Sequence, residues 1–296
     1  MARHYRDPRP GALPAREPLC NHLAALPTSH TVLHLVPLAL YLIAAALVVR
    51  TARAAPAARP WFAALVAGAG LAVHGFVLFG AIRRPDGGFS LAITDSASLV
   101  GWVVAATTLA AMLASPLAAL PAALLLLAGL LAAGTGVFNG FNEIHSPQWE
   151  ITAHIALAAL AAGWLSIAAI VVLMLAWQDT RLRKRAPPGI LAGLPPMETM
   201  ERVLFRALGG GFVLLTFVLV TGLFFVQNVF AQHLIHKMTL AIVAWIVFGV
   251  LLIGRVRYGW RGRRARKFTI AGFVILALAY FGSKFVLENL LGRHWG

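Results

Sequence analysis

The sequence predicts an all-α fold, namely a polytopic membrane bundle of about eight transmembrane helices with both termini on the periplasmic side. The composition, the length of the apolar runs and the placement of the basic residues lead to this prediction. Of the 296 residues, 60% are hydrophobic and 12% are charged, whereas a soluble domain carries about 25% charged residues. Such a composition is typical of a chain that crosses a membrane several times.

Eight apolar runs are long enough, or nearly so, to cross a bilayer, since about 20 helical residues span the ~30 Å of hydrocarbon. Before the first run, residues 1–30 are rich in Pro and Arg and have no apolar period, so we interpret them as a disordered tail. Residues 31–296 then form the membrane domain. The predicted spans are residues 31–50, 61–82, 96–114, 117–137, 149–177, 203–227, 236–254 and 267–288.

Turn-forming residues separate several of these spans. Only Ser115 and Pro116 stand between the third and fourth spans, which predicts a tight helical hairpin. A Pro-Asp-Gly-Gly sequence at residues 85–88 predicts a turn before the third span. Ahead of the sixth span, we interpret residues 197–202 as the interfacial first turn of that helix.

The basic residues predict the orientation of the bundle. Loops 50–60, 178–206 and 254–267 carry 16 of the 25 Lys and Arg residues, and an eight-span chain places all three loops on one side. Because cytoplasmic loops are enriched in Lys and Arg, this side is predicted to be cytoplasmic and both termini periplasmic. The net charge of +15 is then explained by orientation and by anionic lipid headgroups, and no nucleic-acid partner is expected.

Two histidines lie within predicted spans and are the first candidates for a functional site. His74 lies about 12 Å from the outer end of the second span, and His154 about 7 Å from the outer end of the fifth. Each shares its helix face with Ala or Gly residues, which leave room for a flat ligand or for another helix. One hypothesis is that both imidazoles are axial ligands of a haem iron. The alternative, which the residues alone slightly favour, is hydrogen bonding across close-packed helices.

Further histidines are predicted at the outer surface. His145 lies in loop 138–148, His233 lies just before the seventh span, His236 lies at its start, and His294 follows the eighth. His236 is next to Lys237 and to the start of a helix, where an anionic group such as a haem propionate is favoured. We therefore include His236 and His294 as alternative cofactor-binding residues.

The sequence contains no sign of catalysis. It has no Walker loop, no HExxH, no CxxCH and no GxSxG motif. These absences lower the odds of an ATPase, a zinc protease or a cytochrome with covalently attached haem, and we predict a protein that is not an enzyme. A transport or accessory subunit for an ion or small solute is the second functional hypothesis, and it would require a polar pathway through the bilayer.

Several segments resemble one known family. The run from residues 236–245 through the GWRGRRA sequence at 259–265 to YFGS at 280–283 resembles the cytochrome c assembly protein family. This is the CcsA/CcmC-like haem-handling superfamily, and the resemblance is closest to its HemX/YpjD-like inner-membrane branch. Residues 89–99, 149–155 and 195–201 fit the same branch, and the resemblance covers roughly residues 31–292.

The resemblance implies a multi-pass protein of the bacterial inner membrane that binds or handles haem, with haem b as cofactor, and that is linked to cytochrome c biogenesis. Its expected partners are the lipid bilayer, haem and other membrane or cytochrome-biogenesis proteins. His154 matches the family's histidine at the outer start of that span. The Trp-rich outer loop of the family's haem exporters is missing, since residues 228–236 contain no tryptophan. His294 corresponds to an exporter histidine only by its rough position after the last span.

Overall fold

The computed structural model is a bundle of α-helices, and it describes residues 29–55, 58–82, 89–90, 93–115, 117–137, 145–146, 149–184, 193–225 and 232–279. In these ranges there are eight α-helices and two strands of two residues each, β1 (Phe89–Ser90) and β2 (His145–Ser146). The predicted all-α class and the eight helices are confirmed. The helices are α1 (Ser29–Ala54), α2 (Trp61–Ile82), α3 (Ile93–Ala114), α4 (Leu120–Val137), α5 (Trp149–Arg183), α6 (Met197–Phe225), α7 (Gln232–Tyr258) and α8 (Gly262–Ala277).

Six of these helices are long and apolar enough to cross a membrane, by length and composition: α1, α2, α3, α5, α6 and α7. The apolar part of α4, Leu120–Gly134, is shorter. Helix α8 carries basic residues in its first turns. The predicted eighth span, residues 267–288, is described only as far as residue 279. The predicted tail lies outside the described residues, except that Ser29 and His30 already belong to α1.

The helices extend beyond the predicted spans mainly at the ends that carry charge. Helix α5 continues to Arg183 and α7 continues to Tyr258, so both run several residues past the predicted ends at 177 and 254. Residues 197–202 form the first turns of α6, as predicted. A helix keeps its backbone hydrogen bonds when its side chains become polar, so the end of an apolar run does not end the helix.

Two other boundaries differ from the prediction. Helix α4 begins at Leu120, because the three residues before it form a turn in which Ala118 has a φ of 47°. Helix α7 begins at Gln232, so His233 and His236 lie within its first turns, just before the candidate membrane span Lys237–Tyr258.

The basic segment 254–267, predicted as a loop, is mostly helical, with a turn of only three residues between α7 and α8. The N–H of Trp260 donates to the carbonyl of Gly254 (3.1 Å), and Gly259 has a φ of 65°, a left-handed conformation that favours glycine. At the start of α8, the N–H of Gly262 donates to Glu201 Oε1 of α6 (3.1 Å). The turn is therefore held by backbone geometry and by one carboxylate.

The three basic segments meet at one end of the bundle, which confirms that they share a side. The N–H of Ala119 in the α3–α4 turn donates to the carbonyl of Gly193 before α6 (2.8 Å), and Ala52 of α1 is next to Gly193. Asp179 near the end of α5 forms an ion pair with Arg266 of α8 at 2.8 Å. The placement of this end in the cytoplasm stays a prediction.

At the opposite end, two loops are joined by a short antiparallel ladder. Phe89 of β1 pairs with Ser146 of β2, and Ser90 pairs with His145. The ladder links the connection between α2 and α3 to the connection between α4 and α5. A ladder of two residues has no sequence period that would predict it.

The packing order of the helices determines which side chains can meet. Helix α1 packs against α2 and α4, and α3 packs against α2, α4 and α5. Helix α5 also packs against α6 and α8, and α7 packs against α6 and α8. Since α3 contacts both α2 and α5, it stands between the two helices that carry His74 and His154.

Candidate functional site

His74 of α2 is buried, and both of its ring nitrogens form hydrogen bonds. Nδ1 lies 3.2 Å from the hydroxyl of Tyr41 on α1, and Nε2 lies 2.9 Å from Oγ of Ser98 on α3. The Tyr41 and His74 rings meet edge to face, with centroids 5.9 Å apart. Whichever nitrogen carries the proton, one hydrogen bond is donated and one is accepted, so neither nitrogen is left for a metal.

The small residues near His74 accommodate neighbouring helices. A Cβ on Gly70 would lie 3.0 Å from Cε1 of Tyr41, so this glycine lets the tyrosine ring approach α2. A Cβ on Gly101 of α3 would lie 2.9 Å from Cβ of Leu131 and 3.6 Å from Cε1 of His74. The space predicted for a flat ligand or for another helix is here filled by α1 and α3.

His154 of α5 has a different environment, near the start of α5 and the end of α6, away from the basic end of the bundle. The ring is half-buried, and Nδ1 lies 2.9 Å from Oγ1 of Thr221 on α6. Thr221 itself donates to the carbonyl of Phe217, one turn earlier in the same helix (2.8 Å). The carbonyl of Val218 is also within reach of this hydroxyl (3.2 Å), and these two acceptors on α6 favour the tautomer in which Thr221 Oγ1 accepts from His154 Nδ1–H.

This hydrogen bond leaves the second nitrogen of His154 in the form that binds metals. With the proton on Nδ1, Nε2 carries the lone pair, and it makes no hydrogen bond within the described part of the chain. A metal-binding histidine almost always donates its other N–H to an acceptor, which orients the ring. Thr221 provides such an acceptor for His154.

Gly222 gives the ring of His154 its space on α6. A Cβ at this position would lie 3.4 Å from Cε1 of His154, tighter than most such contacts. On α5 itself, the predicted small-residue face of His154 includes Ala161, which is buried. Small residues therefore lie near His154 on its own helix, as the sequence predicted, and Gly222 of α6 is a further one.

The structure does not bring His74 and His154 together. His74 contacts α1 and α3, whereas His154 contacts α6, and α3 packs between α2 and α5. Ligation of one iron by both imidazoles stays a prediction that this arrangement does not favour. For His74, the hydrogen-bonding alternative agrees with the observed contacts.

The other predicted site residues are placed only in part. His236 lies in the first turns of α7 and His145 in β2, but their side chains are outside the described residues. His294 lies wholly outside them. In the described ranges, no group of three or more His, Cys, Asp or Glu side chains could hold a metal ion.

Sequence reasoning missed the partners of both histidines. Tyr41 and Ser98 lie 33 and 24 residues from His74, and Thr221 lies 67 residues from His154. A hydroxyl residue within an apolar span is a signal that it has a partner, because an unpaired polar group is unfavourable in hydrocarbon. That signal does not tell which residue the partner is.

Comparisons with known proteins agree with the helical membrane architecture. The family described as Cytochrome C assembly protein matches residues 31–291. "Inner membrane protein YpjD" of Escherichia coli strain K12 is 45% identical over 135 residues, which cover 46% of this chain and 51% of that protein. "Cytochrome c biogenesis protein CcsA" of Rippkaea orientalis is 27% identical over 171 residues, which cover 54% of this chain and 46% of that protein.

A third relative is the "Uncharacterized 28.8 kDa protein in nifR3-like 5'region" of Azospirillum brasilense. It is 32% identical over 149 residues, which cover 50% of this chain and 55% of that protein. The chain thus spans about half the length of the curated relatives it matches. No solved structure matches the chain.

Proposed function

Because the chain belongs to the cytochrome c assembly protein family, we propose that it binds haem b through His154 and handles haem in cytochrome c biogenesis without catalysing a reaction. It is a multi-pass protein of the inner membrane, with six helices long and apolar enough to span it. The name of its relative CcsA refers to cytochrome c biogenesis, which supports the proposed process.

The observation that carries the proposal is the hydrogen bonding of His154. In the tautomer that the Thr221 hydroxyl favours, Nδ1–H donates to Thr221 Oγ1 and Nε2 keeps its lone pair, near the start of α5 and the end of α6. Neutral imidazole is a common axial ligand of haem iron, and an apolar surround suits the porphyrin. Haem, when bound, supplies an iron that the porphyrin already holds, so the protein needs to contribute only one or two ligands.

A second protein ligand would come from the outer side. His145, His233, His236 and His294 are all predicted on that side by the eight-span order, and the first turns of α7 carry His233 and His236. His74 is a less suitable partner, since Tyr41 and Ser98 engage both of its nitrogens. Among these, His236 and His294 remain the proposed outer-face alternatives.

A transport function is the alternative, and the buried polar groups give it little support. An ion pathway needs charged or strongly polar groups inside the bundle. In the described residues the buried polar side chains are His74, Ser96, Ser98, Thr108, Gln178 and Thr269, and none of these is an acid or a Lys or Arg. Haem handling therefore accounts better for the apolar interior.

An absorption spectrum tests the proposal directly. The full chain is purified in mild detergent and measured oxidised and dithionite-reduced, with and without added haemin. We expect a saturable Soret band, with sharp bands on reduction as a low-spin haem gives. A folded protein that gives no saturable change in Soret absorption on titration with haemin would overturn haem handling and leave transport or an accessory role.

Thr221 should influence haem affinity without being a ligand. In Thr221→Val, Nδ1 of His154 loses its acceptor and the ring loses its orientation, so we expect haemin to bind about 10- to 100-fold more weakly. Thr221→Ser keeps the hydroxyl and should retain most of the affinity. Haemin titration followed at the Soret band measures the difference, and equal affinities of the valine and serine variants would contradict this role.

A further inference from the structure

A lateral groove runs between α1 and α4 at the basic end of the bundle, away from both histidines. Its volume is about 810 Å³, within the usual size range of ligand sites. The walls are apolar and built largely from alanines, among them Ala45 and Ala46 of α1 and Ala122 and Ala123 of α4. Small side chains on both helices thus leave an open channel on the membrane-facing surface.

Two arginines close the end of this groove. Arg50 and Arg53 line it, and both side chains are exposed. They are three residues apart on α1, so they project from the same face of the helix. No carboxylate lines the groove, and within the described residues neither arginine is in an ion pair. The pair is therefore available to an anion from outside the protein.

The dimensions of the groove match one leaflet of a bilayer. From Leu42 to Ala54 the lining of α1 covers about 18 Å, and one leaflet of hydrocarbon is about 15 Å thick. With Arg50 and Arg53 at the level of the phosphates, the apolar part of the groove would lie alongside an acyl chain. Arg59 at the same end is different, because it donates to the carbonyl of Ala114 and stacks on Trp61.

We propose that this groove binds one anionic phospholipid, with an acyl chain along the alanines and the phosphate on Arg50 and Arg53. Basic sites between helices at the cytoplasmic side are suited to anionic headgroups, and each arginine near the surface contributes about fivefold in affinity. The site does not depend on haem binding, and its test is independent of the haem spectrum.

Native mass spectrometry of the full chain tests the proposal. The protein is placed in nanodiscs of equal parts phosphatidylglycerol and phosphatidylcholine, released into mild detergent, and the retained lipid is identified. We expect one phosphatidylglycerol per chain, enriched more than about tenfold over phosphatidylcholine. The double variant Arg50→Gln/Arg53→Gln should bring this ratio close to one.

Two further variants test whether the lipid depends on Arg50 and Arg53 in particular, and whether it occupies the groove. Arg257→Gln/Arg263→Gln removes the same charge from exposed residues at the same end of the bundle, outside the groove, and should keep the enrichment. Ala46→Trp keeps both arginines and fills the groove, so it should lose the lipid. Equal loss of phosphatidylglycerol enrichment in the two double arginine variants would overturn the proposal. So would an Ala46→Trp protein that retains the lipid, or a dimer without lipid in place of the lipid complex.

Discussion

His154→Ala is expected to abolish the saturable Soret band that haemin gives with the wild-type protein. The substitution removes Nε2, the nitrogen that carries the lone pair in the tautomer favoured by Thr221. Loss of an iron ligand should weaken haemin binding by at least about a hundredfold, since loss of a supporting group alone already accounts for about 10- to 100-fold. Titration of the purified variant with haemin at the Soret wavelength measures the loss.

The fold should survive this substitution. His154 is half-buried and makes one hydrogen bond to a side chain, and such bonds in membrane proteins contribute on average about 0.6 kcal/mol. The thermal midpoint in detergent should therefore change little, which separates loss of binding from loss of folding. A folded His154→Ala protein with wild-type haemin affinity would show that the iron ligand lies elsewhere, first at His236 or His294.

His74→Ala is expected to have the opposite effect, a large loss of stability with no loss of the haem ligand. The imidazole is 1% exposed and connects three helices through Tyr41 and Ser98. Its removal leaves a cavity and two hydroxyl groups without their partner, for a total of about 2–4 kcal/mol. Unfolding in mixed micelles of increasing sodium dodecyl sulfate content measures the free energy of unfolding.

Two companion variants identify the cause of the His74 effect. Tyr41→Phe removes one hydroxyl and should destabilise the protein by only about 0.6–1.5 kcal/mol. His74→Gln keeps a donor and an acceptor at the centre of the network but removes the imidazole, so it should be folded and should bind haemin with wild-type affinity. If the folded His74→Gln protein fails to bind haemin, His74 is an iron ligand after all.

The helical architecture could be read from the sequence because the membrane imposes it. Each apolar run long enough to span the hydrocarbon must satisfy its own backbone hydrogen bonds, and a helix does this without any partner. The predicted order of eight helices followed from this rule, and so did the meeting of the basic segments at one end, which the contacts of Gly193 and Arg266 confirm. These features depend on local composition alone.

The ends of the helices were predicted less well, because an apolar run indicates where the chain crosses the membrane and does not indicate where the helix ends. Helix α5 has 35 residues and extends about 52 Å, well beyond the hydrocarbon. Its last turns carry Asp179, Arg181 and Arg183, which ended the apolar run but not the backbone hydrogen bonding. The same reason applies to Arg255 and Arg257 at the end of α7.

The sequence by itself determined the class of the protein, the number and order of its helices, the shared side of its basic segments and the two histidines within spans. Only the tertiary structure decided what each histidine contacts. His74 lies in a hydrogen-bond network that engages both of its ring nitrogens, whereas only Nδ1 of His154 has a hydrogen-bond partner among the residues that the structure describes. Helical periodicity assigns a residue to a face of its own helix, but the opposing helix depends on how the whole bundle packs, across separations of 24 to 67 residues.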